Sequence, residues 1–141
     1  MSNRPKIFLF ADDDPEDQEI LEDAIKAIDP EIKLHMVHNG QQAIEYLESC
    51  SDPDLPCFII LDYKMPVFNA VEVLERIHYH PRLHPIPKVV WSTSNQPEHV
   101  KLCLQKGALE YFVKPMQMSE LAEIARRMLD LCENALDKRP Q

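Results

Sequence analysis

The chain has 141 residues, 45% of them hydrophobic and 28% charged, with a formal net charge of −9. That length is expected to hold one domain with its own core and is too short for a separate output module of ordinary size, and the apolar fraction is that of a globular chain, since disorder needs far fewer apolar residues. The acidic balance argues against nucleic acid and anionic membrane as partners, since no concentrated basic patch offsets the repulsion. Cys50, Cys57, Cys103 and Cys132 form no C-x-x-C pair, and the N-terminus has no signal-peptide architecture. No apolar stretch approaches the roughly 20 residues needed to span a bilayer. The expected compartment is the cytoplasm, with reduced thiols. One domain is expected over 1–141, its core from about residue 6 to 134 and a tail from 135, frayed from Asp137 to Gln141.

In chain order, the apolar run Ile7 to Ala11 predicts a strand, followed by Asp12, Asp13 and Asp14. Asp14, with Asp17 three residues on, suits the N-cap of a helix whose apolar face is Ile20, Leu21, Ala24, Ile25 and Ile28. Ile32 to Val37 predicts the second strand, and Ala43, Ile44 and Leu47 the helix after it. Cys57 to Leu61 predicts a third strand ending at Asp62, then a helix carrying Val71, Val73, Leu74 and Ile77. The proline-rich segment His78 to Pro87 reads as an ordered loop, in which His78, His80 and His84 fit solvated positions better than a metal site. Val89 to Trp91 predicts the fourth strand, with Trp91 in the core and Ser92 and Thr93 after it. The next helix carries Val100, Leu102, Cys103 and Leu104 and stops at Gly107, which suits a left-handed C-terminal position. Tyr111 to Val113 predicts the fifth strand, followed by Lys114. The last helix is expected from an N-cap at Ser119 through Leu121, Ile124, Ala125, Met128, Leu129 and Leu131, with Cys103 and Cys132 as small core residues.

Three of the five strands are nearly continuous apolar runs, as in a parallel sheet covered on both faces. Five strand-helix units predict an α/β fold, an open doubly wound five-stranded parallel sheet with right-handed crossovers and ligands beyond the C-terminal strand ends. Four strand ends carry polar groups: Asp12 to Asp14, Asp62, Ser92 with Thr93, and Lys114. If the first, third, fourth and fifth strands are neighbours, these groups converge. Carboxylates brought together repel, and a hard divalent cation, Mg²⁺, offsets the repulsion while leaving room for water and a phosphoryl oxygen. Phosphoryl transfer requires an acceptor, a metal, a cation for the equatorial oxygens and placed donors, which Asp62, Mg²⁺, Lys114 and Ser92 meet.

The ordered set — an acid pair after strand one, D-Y-K-M-P after strand three, S-T-S after strand four and Y-F-V-K-P after strand five — resembles the receiver domain of response regulators from about Lys6 to Met128. Its separations, 30 residues (92−62) and 22 (114−92), make the set far more specific than any one motif. The resemblance implies a flavodoxin-like (βα)5 fold in a stand-alone receiver, with Asp62 the phosphoacceptor. It implies that Asp13 ligates Mg²⁺ directly, Asp12 acts in the same pocket through water, and Lys64 lends its backbone carbonyl. Ser92 turns its hydroxyl to the phosphoryl group, Lys114 pairs with that group, Tyr111 is the rotamer switch, and the bond before Pro115 is cis. The implied donor is a sensor histidine kinase or histidine phosphotransfer protein. The implied output is a protein partner on the face of the fourth helix, fifth strand and fifth helix. Such a chain assists its own phosphotransfer and hydrolysis and is not a dedicated enzyme. The apolar stripe of the last helix leaves a homodimer open.

The loops are similar to those of small receivers paired with phytochrome-type or hybrid kinases. Two residues depart from the pattern: Ala70 stands where receivers usually have glycine, and Phe68 is a bulky residue in what reads as an exposed loop. Lys64 and Ser94 occupy positions where receivers vary in the lifetime of the acyl phosphate, and the Lys64 side chain is expected to shield it from water. Three rivals remain: an aspartyl-phosphate hydrolase, whose D-x-D-x-[TV] is not matched by D-D-D-P; a phosphorylation-independent binding module; and a nucleotide site, for which Gly40 and Gly107 alone are too few glycines.

Overall fold

The computed structural model describes residues 6–137. Five strands, β1 (Ile7–Ala11), β2 (Lys33–Val37), β3 (Phe58–Leu61), β4 (Lys88–Ser92) and β5 (Tyr111–Val113), form one parallel sheet in the order β2-β1-β3-β4-β5. They alternate with helices α1 (Pro15–Ile28), α2 (Gly40–Ser49), α3 (Ala70–His78), α4 (Pro97–Gln105) and α5 (Met118–Asp137). The predicted doubly wound fold is observed, and β1, β3, β4 and β5 are successive neighbours.

Alternate residues of the central strands feed two cores. Leu9, Ala11, Ile59, Leu61 and Val90 pack with Val73, Leu74 and Ile77 on one face. Phe8, Phe10, Phe58, Ile60, Val89 and Trp91 pack with Leu21 and Ile25 of α1 and with Leu121, Ala125 and Met128 of α5 on the other. Burial on both faces accounts for the unbroken apolar runs, because period-2 alternation arises only where one face meets water.

Helix caps follow local chemistry. Asp14 accepts hydrogen bonds from the Glu16 and Asp17 amides at the start of α1, Asn39 caps α2, and Asn69 with Glu72 forms a capping box on α3. Gly107, at φ 113, takes the left-handed position after α4. Ser119 is not a cap: it lies within the first turn of α5, where the Gln117 carbonyl accepts from the Leu121 amide. The expected tail from 135 is helical as far as Asp137, and residues 138–141 lie outside those described.

Three apolar expectations are corrected. Ile20 is exposed on α1 while Gln18 is buried, its amide donating to the Phe10 and Val37 carbonyls at 3.1 and 2.9 Å. Of the α4 set only Cys103 is buried, and Leu102 and Leu104 face solvent. Phe68 is half-buried, covered by the Arg76 guanidinium 4.1 Å from its ring centroid and seated on α2, where a Cβ at Gly40 would come within 2.2 Å of the Phe68 carbonyl oxygen. Ala70 opens α3 in place of the usual glycine, and the left-handed residue of the loop is Val67, at φ 69. The histidine loop is anchored by buried Leu83 and Ile86, with His78 and His84 exposed. No helix among the described residues is long and apolar enough to cross a membrane.

Candidate phosphoryl-acceptor site

The sheet's hydrogen bonds run past the strand ends and deliver the acids to one place. The Asp12 amide donates to the Val37 carbonyl, the Asp62 amide to the Ala11 carbonyl and the Lys114 amide to the Ser92 carbonyl, at 3.1, 2.9 and 2.8 Å. Parallel register therefore sets Asp12, Asp62, Ser92 and Lys114 side by side on adjoining strands. Oxygens of Asp12, Asp13 and Asp62 lie within 4.8 Å of one another.

Their environments differ. Asp12 is fully buried and accepts from the Trp91 indole N–H at 3.2 Å and the Asp14 amide at 3.0 Å. Asp13 is exposed at the mouth, and Asp62 is buried below it. Burial first, and then the neighbouring Asp12 charge, push the Asp62 carboxyl up to about 6, against the opposing pull of Lys114 and the Ser92 hydroxyl. A carboxylate held so far above its usual range in a cluster of acids is one that a bound cation would relieve.

Lys114 supplies part of that relief. Its ammonium lies 2.8 Å from Asp12, 2.8 Å from Asp17 and 3.4 Å from Asp62, and 5.7 Å from the Trp91 ring centroid. Burial alone would lower its pKa, but hydrogen bonds to Asp12 and Asp17 and the Asp62 charge outweigh it, so the lysine is held charged. Asp17 is the member of this group that sequence reasoning missed, having paired it with the α1 cap. Its place in the first turn of α1, directly after the acid run, was the available signal. Trp91 is core as expected, yet its indole N–H is also part of the site, a role no sequence pattern announces.

Ser92 is buried, its hydroxyl accepting from the Ser94 amide at 3.2 Å. Lys64 and Thr93 line an open depression above Asp62 with Asp13, Met65 and Lys114. Tyr111 is half-buried, its hydroxyl donating to the Ser94 carbonyl at 2.8 Å. One expectation fails: no peptide bond among the described residues is cis, so the bond before Pro115 is trans, the isomer that X–Pro bonds favour by about 0.5–1 kcal/mol.

The donor set fits a hard divalent cation. Among the described residues the cluster consists of three carboxylates, hard oxygen donors, and contains no thiol or imidazole.

Comparison with known proteins agrees with this geometry. The profile of the response regulator receiver domain matches residues 8–126. The chain is 30% identical over 125 residues to the two-component response regulator ORR11 of Oryza sativa, covering 89% of this chain and 82% of that one. It is 30% identical over 121 residues to ORR5 of the same plant, covering 86% and 87%. Among solved structures, the phosphorylated cyanobacterial phytochrome response regulator RcpA superposes with a TM-score of 0.81 at 24% identity over 91% of this chain and 94% of that chain. The Mn(2+)-bound response regulator Rcp1 superposes with a TM-score of 0.77 at 25% identity over 87% and 91%.

Proposed function

The chain belongs to the response regulator receiver family of two-component systems, and from that premise we propose that it is a phosphorylation switch whose acceptor is Asp62. The observation that carries the reading is the placement of the Asp62 carboxylate, buried at the end of β3 between Asp12 and the Lys114 ammonium and open to solvent through the depression above it.

The ionised Asp62 oxygen attacks the phosphorus of a phosphohistidine on a histidine kinase or phosphotransfer protein. An acyl O–P bond forms as the P–N bond breaks, and the imidazole nitrogen leaves with the electron pair. Lys114, already charged, pairs with the incoming oxygens, and the Ser92 hydroxyl donates to one of them. Asp12, Asp13, Asp62 and the Lys64 carbonyl would hold Mg²⁺, which supplies positive charge to the transferring group. The phosphorylated and Mn(2+)-bound forms of the two solved relatives support both assignments. The chain is thus a phosphoacceptor that assists its own transfer and hydrolysis, not a dedicated enzyme.

Output runs through the α4-β5-α5 face to a protein partner. Leu104 on α4, Val113 on β5 and Leu109, Met116 and Met118 beside them are all exposed apolar side chains, the composition of a surface that is covered in use. Intact-mass spectrometry with a small-molecule phosphodonor, with and without Mg²⁺, tests the reading. A Mg²⁺-dependent phosphoryl adduct absent from Asp62→Asn is expected. A folded protein that takes no adduct would instead be a phosphorylation-independent binding module.

A further inference from the structure

Between the acceptor and the output face lies a chain of contacts built around a histidine that the proposed chemistry does not use. Tyr63, the residue after Asp62, stacks on the imidazole of His99 with centroids 4.1 Å apart and planes within 15°. His99 sits in the first turn of α4, and its Nδ1 shares a hydrogen bond of 2.6 Å with the Ser94 hydroxyl. Ser94 in turn accepts the Tyr111 hydroxyl on its carbonyl at 2.8 Å and donates its amide to the Ser92 hydroxyl at 3.2 Å. Ser94 is therefore the point at which the residue that turns toward a phosphoryl group, the switch tyrosine and α4 all meet.

We propose that His99 is a positioning residue that fastens the first turn of α4 to Ser94 and so sets how firmly Tyr111 is held inward, while its stack on Tyr63 joins the same turn to the acceptor loop. The inference rests on the phosphorylation reading for its purpose, but its contacts exist in the unphosphorylated protein.

Three physical points carry it. First, α4 has little else to hold it. Cys103 is its one buried residue, and its N-cap, Gln96, makes no side-chain capping hydrogen bond, so a polar contact and a ring stack in the first turn weigh heavily there. Second, the Tyr111 hydroxyl bonds to the Ser94 carbonyl, so its inward position depends on where the Ser94 backbone is held. The Ser94 hydroxyl is the group that anchors that backbone from the α4 side. Third, the two bonds of His99 are separable. The ring face serves Tyr63 and the ring nitrogen serves Ser94, so a substitution can remove one and keep the other.

The experiment labels the protein with 3-fluorotyrosine and records ¹⁹F NMR spectra without phosphodonor. Its four tyrosines, Tyr46, Tyr63, Tyr79 and Tyr111, give four resonances, with Tyr111→Phe and Tyr63→Phe identifying the two of interest. His99→Phe keeps an aromatic face and loses the nitrogen, and is expected to move the Tyr111 resonance. The ratio of inward to outward Tyr111 should fall about three- to tenfold, the change one hydrogen bond supports. His99→Asn keeps a short polar group and loses the ring, and is expected to shift the Tyr63 resonance most while restoring that of Tyr111. Tyr46 and Tyr79 resonances at wild-type positions certify the fold in each variant. A Tyr111 resonance unmoved in folded His99→Phe would overturn the proposal. Failure of the phosphorylation reading is distinguishable, because it appears as a missing mass adduct in the wild-type protein and leaves this comparison intact.

Discussion

The indole N–H of Trp91 donates to the carboxylate of Asp12 at 3.2 Å, so a core side chain on β4 holds a buried acid of the neighbouring site in place. Trp91→Phe fills most of the same volume but leaves Asp12 one donor short. It is expected to lower stability by about 1–3 kcal/mol, the cost of a buried acceptor left under-satisfied. Thermal unfolding followed by circular dichroism measures it. Because Trp91 is the chain's one tryptophan, wild-type fluorescence is also expected to change as Mg²⁺ is titrated in, and a silent titration with proven binding would sever indole from site.

The elevated Asp62 carboxyl has a stability consequence of definite sign. Its ordinary value of 3.8 rises to about 6 in the fold, so the native state holds this proton more tightly than the unfolded chain does. The stabilising contribution is complete below the unfolded value and is lost as pH rises through the folded one. At about pH 7.5, without metal, Asp62→Asn is therefore expected to be more stable than wild type by about 1 kcal/mol, allowing for water in the depression. The difference should close as the pH is lowered toward 4. Denaturant unfolding across that range checks it, and a gap that widened on acidification would contradict the assignment.

The Lys114 ammonium pairs with three carboxylates at once. Lys114→Ala leaves buried Asp12 and Asp62 uncompensated, at a cost of about 3–5 kcal/mol. A divalent cation then becomes the remaining source of positive charge. Mg²⁺ should raise the melting temperature of the variant more than that of wild type, and equal shifts would mean that ammonium and metal sites are independent.

Val67 is a β-branched residue at φ 69, a conformation that costs an L-residue about 1–2 kcal/mol. It is exposed, so its side chain returns little through packing. Val67→Asn is expected to raise stability by about 0.5–1 kcal/mol, since asparagine tolerates the left-handed region. Unchanged melting would show that the loop relaxes around valine.

Lys64 stands exposed on the rim of the depression above Asp62, in a position to shield an acyl phosphate from water. Lys64→Ala should shorten its lifetime severalfold, read as loss of the mass adduct over time. An unchanged decay would assign the shielding elsewhere.

How much of this was visible beforehand follows from how local each cause is. Strands buried on both faces announce themselves as apolar runs, and a polar residue that ends such a run has few structural uses, which is why Asp62, Ser92 and Lys114 were legible. Helix faces read less well. Ile20 turns to solvent and Gln18 is buried with its amide donating to the Phe10 and Val37 carbonyls of β1 and β2, a tertiary contact no helical period encodes. Leu102 and Leu104 continue an apolar pattern but face solvent, since α4 covers only the edge of the sheet. Asp17 was assigned to the cap because its distance from Lys114 in sequence hides the 2.8 Å contact made through the sheet.

The seat of Phe68 on Gly40 has a mechanical meaning. There is no space between the far end of the acceptor loop and α2, and Arg76 closes over the ring from above. That end works as a clamped support. A loop held against α2 at one end and stacked on His99 of α4 through Tyr63 at the other would, under the proposed phosphorylation of Asp62, pass a load toward α4, because the α2 end has no room to move.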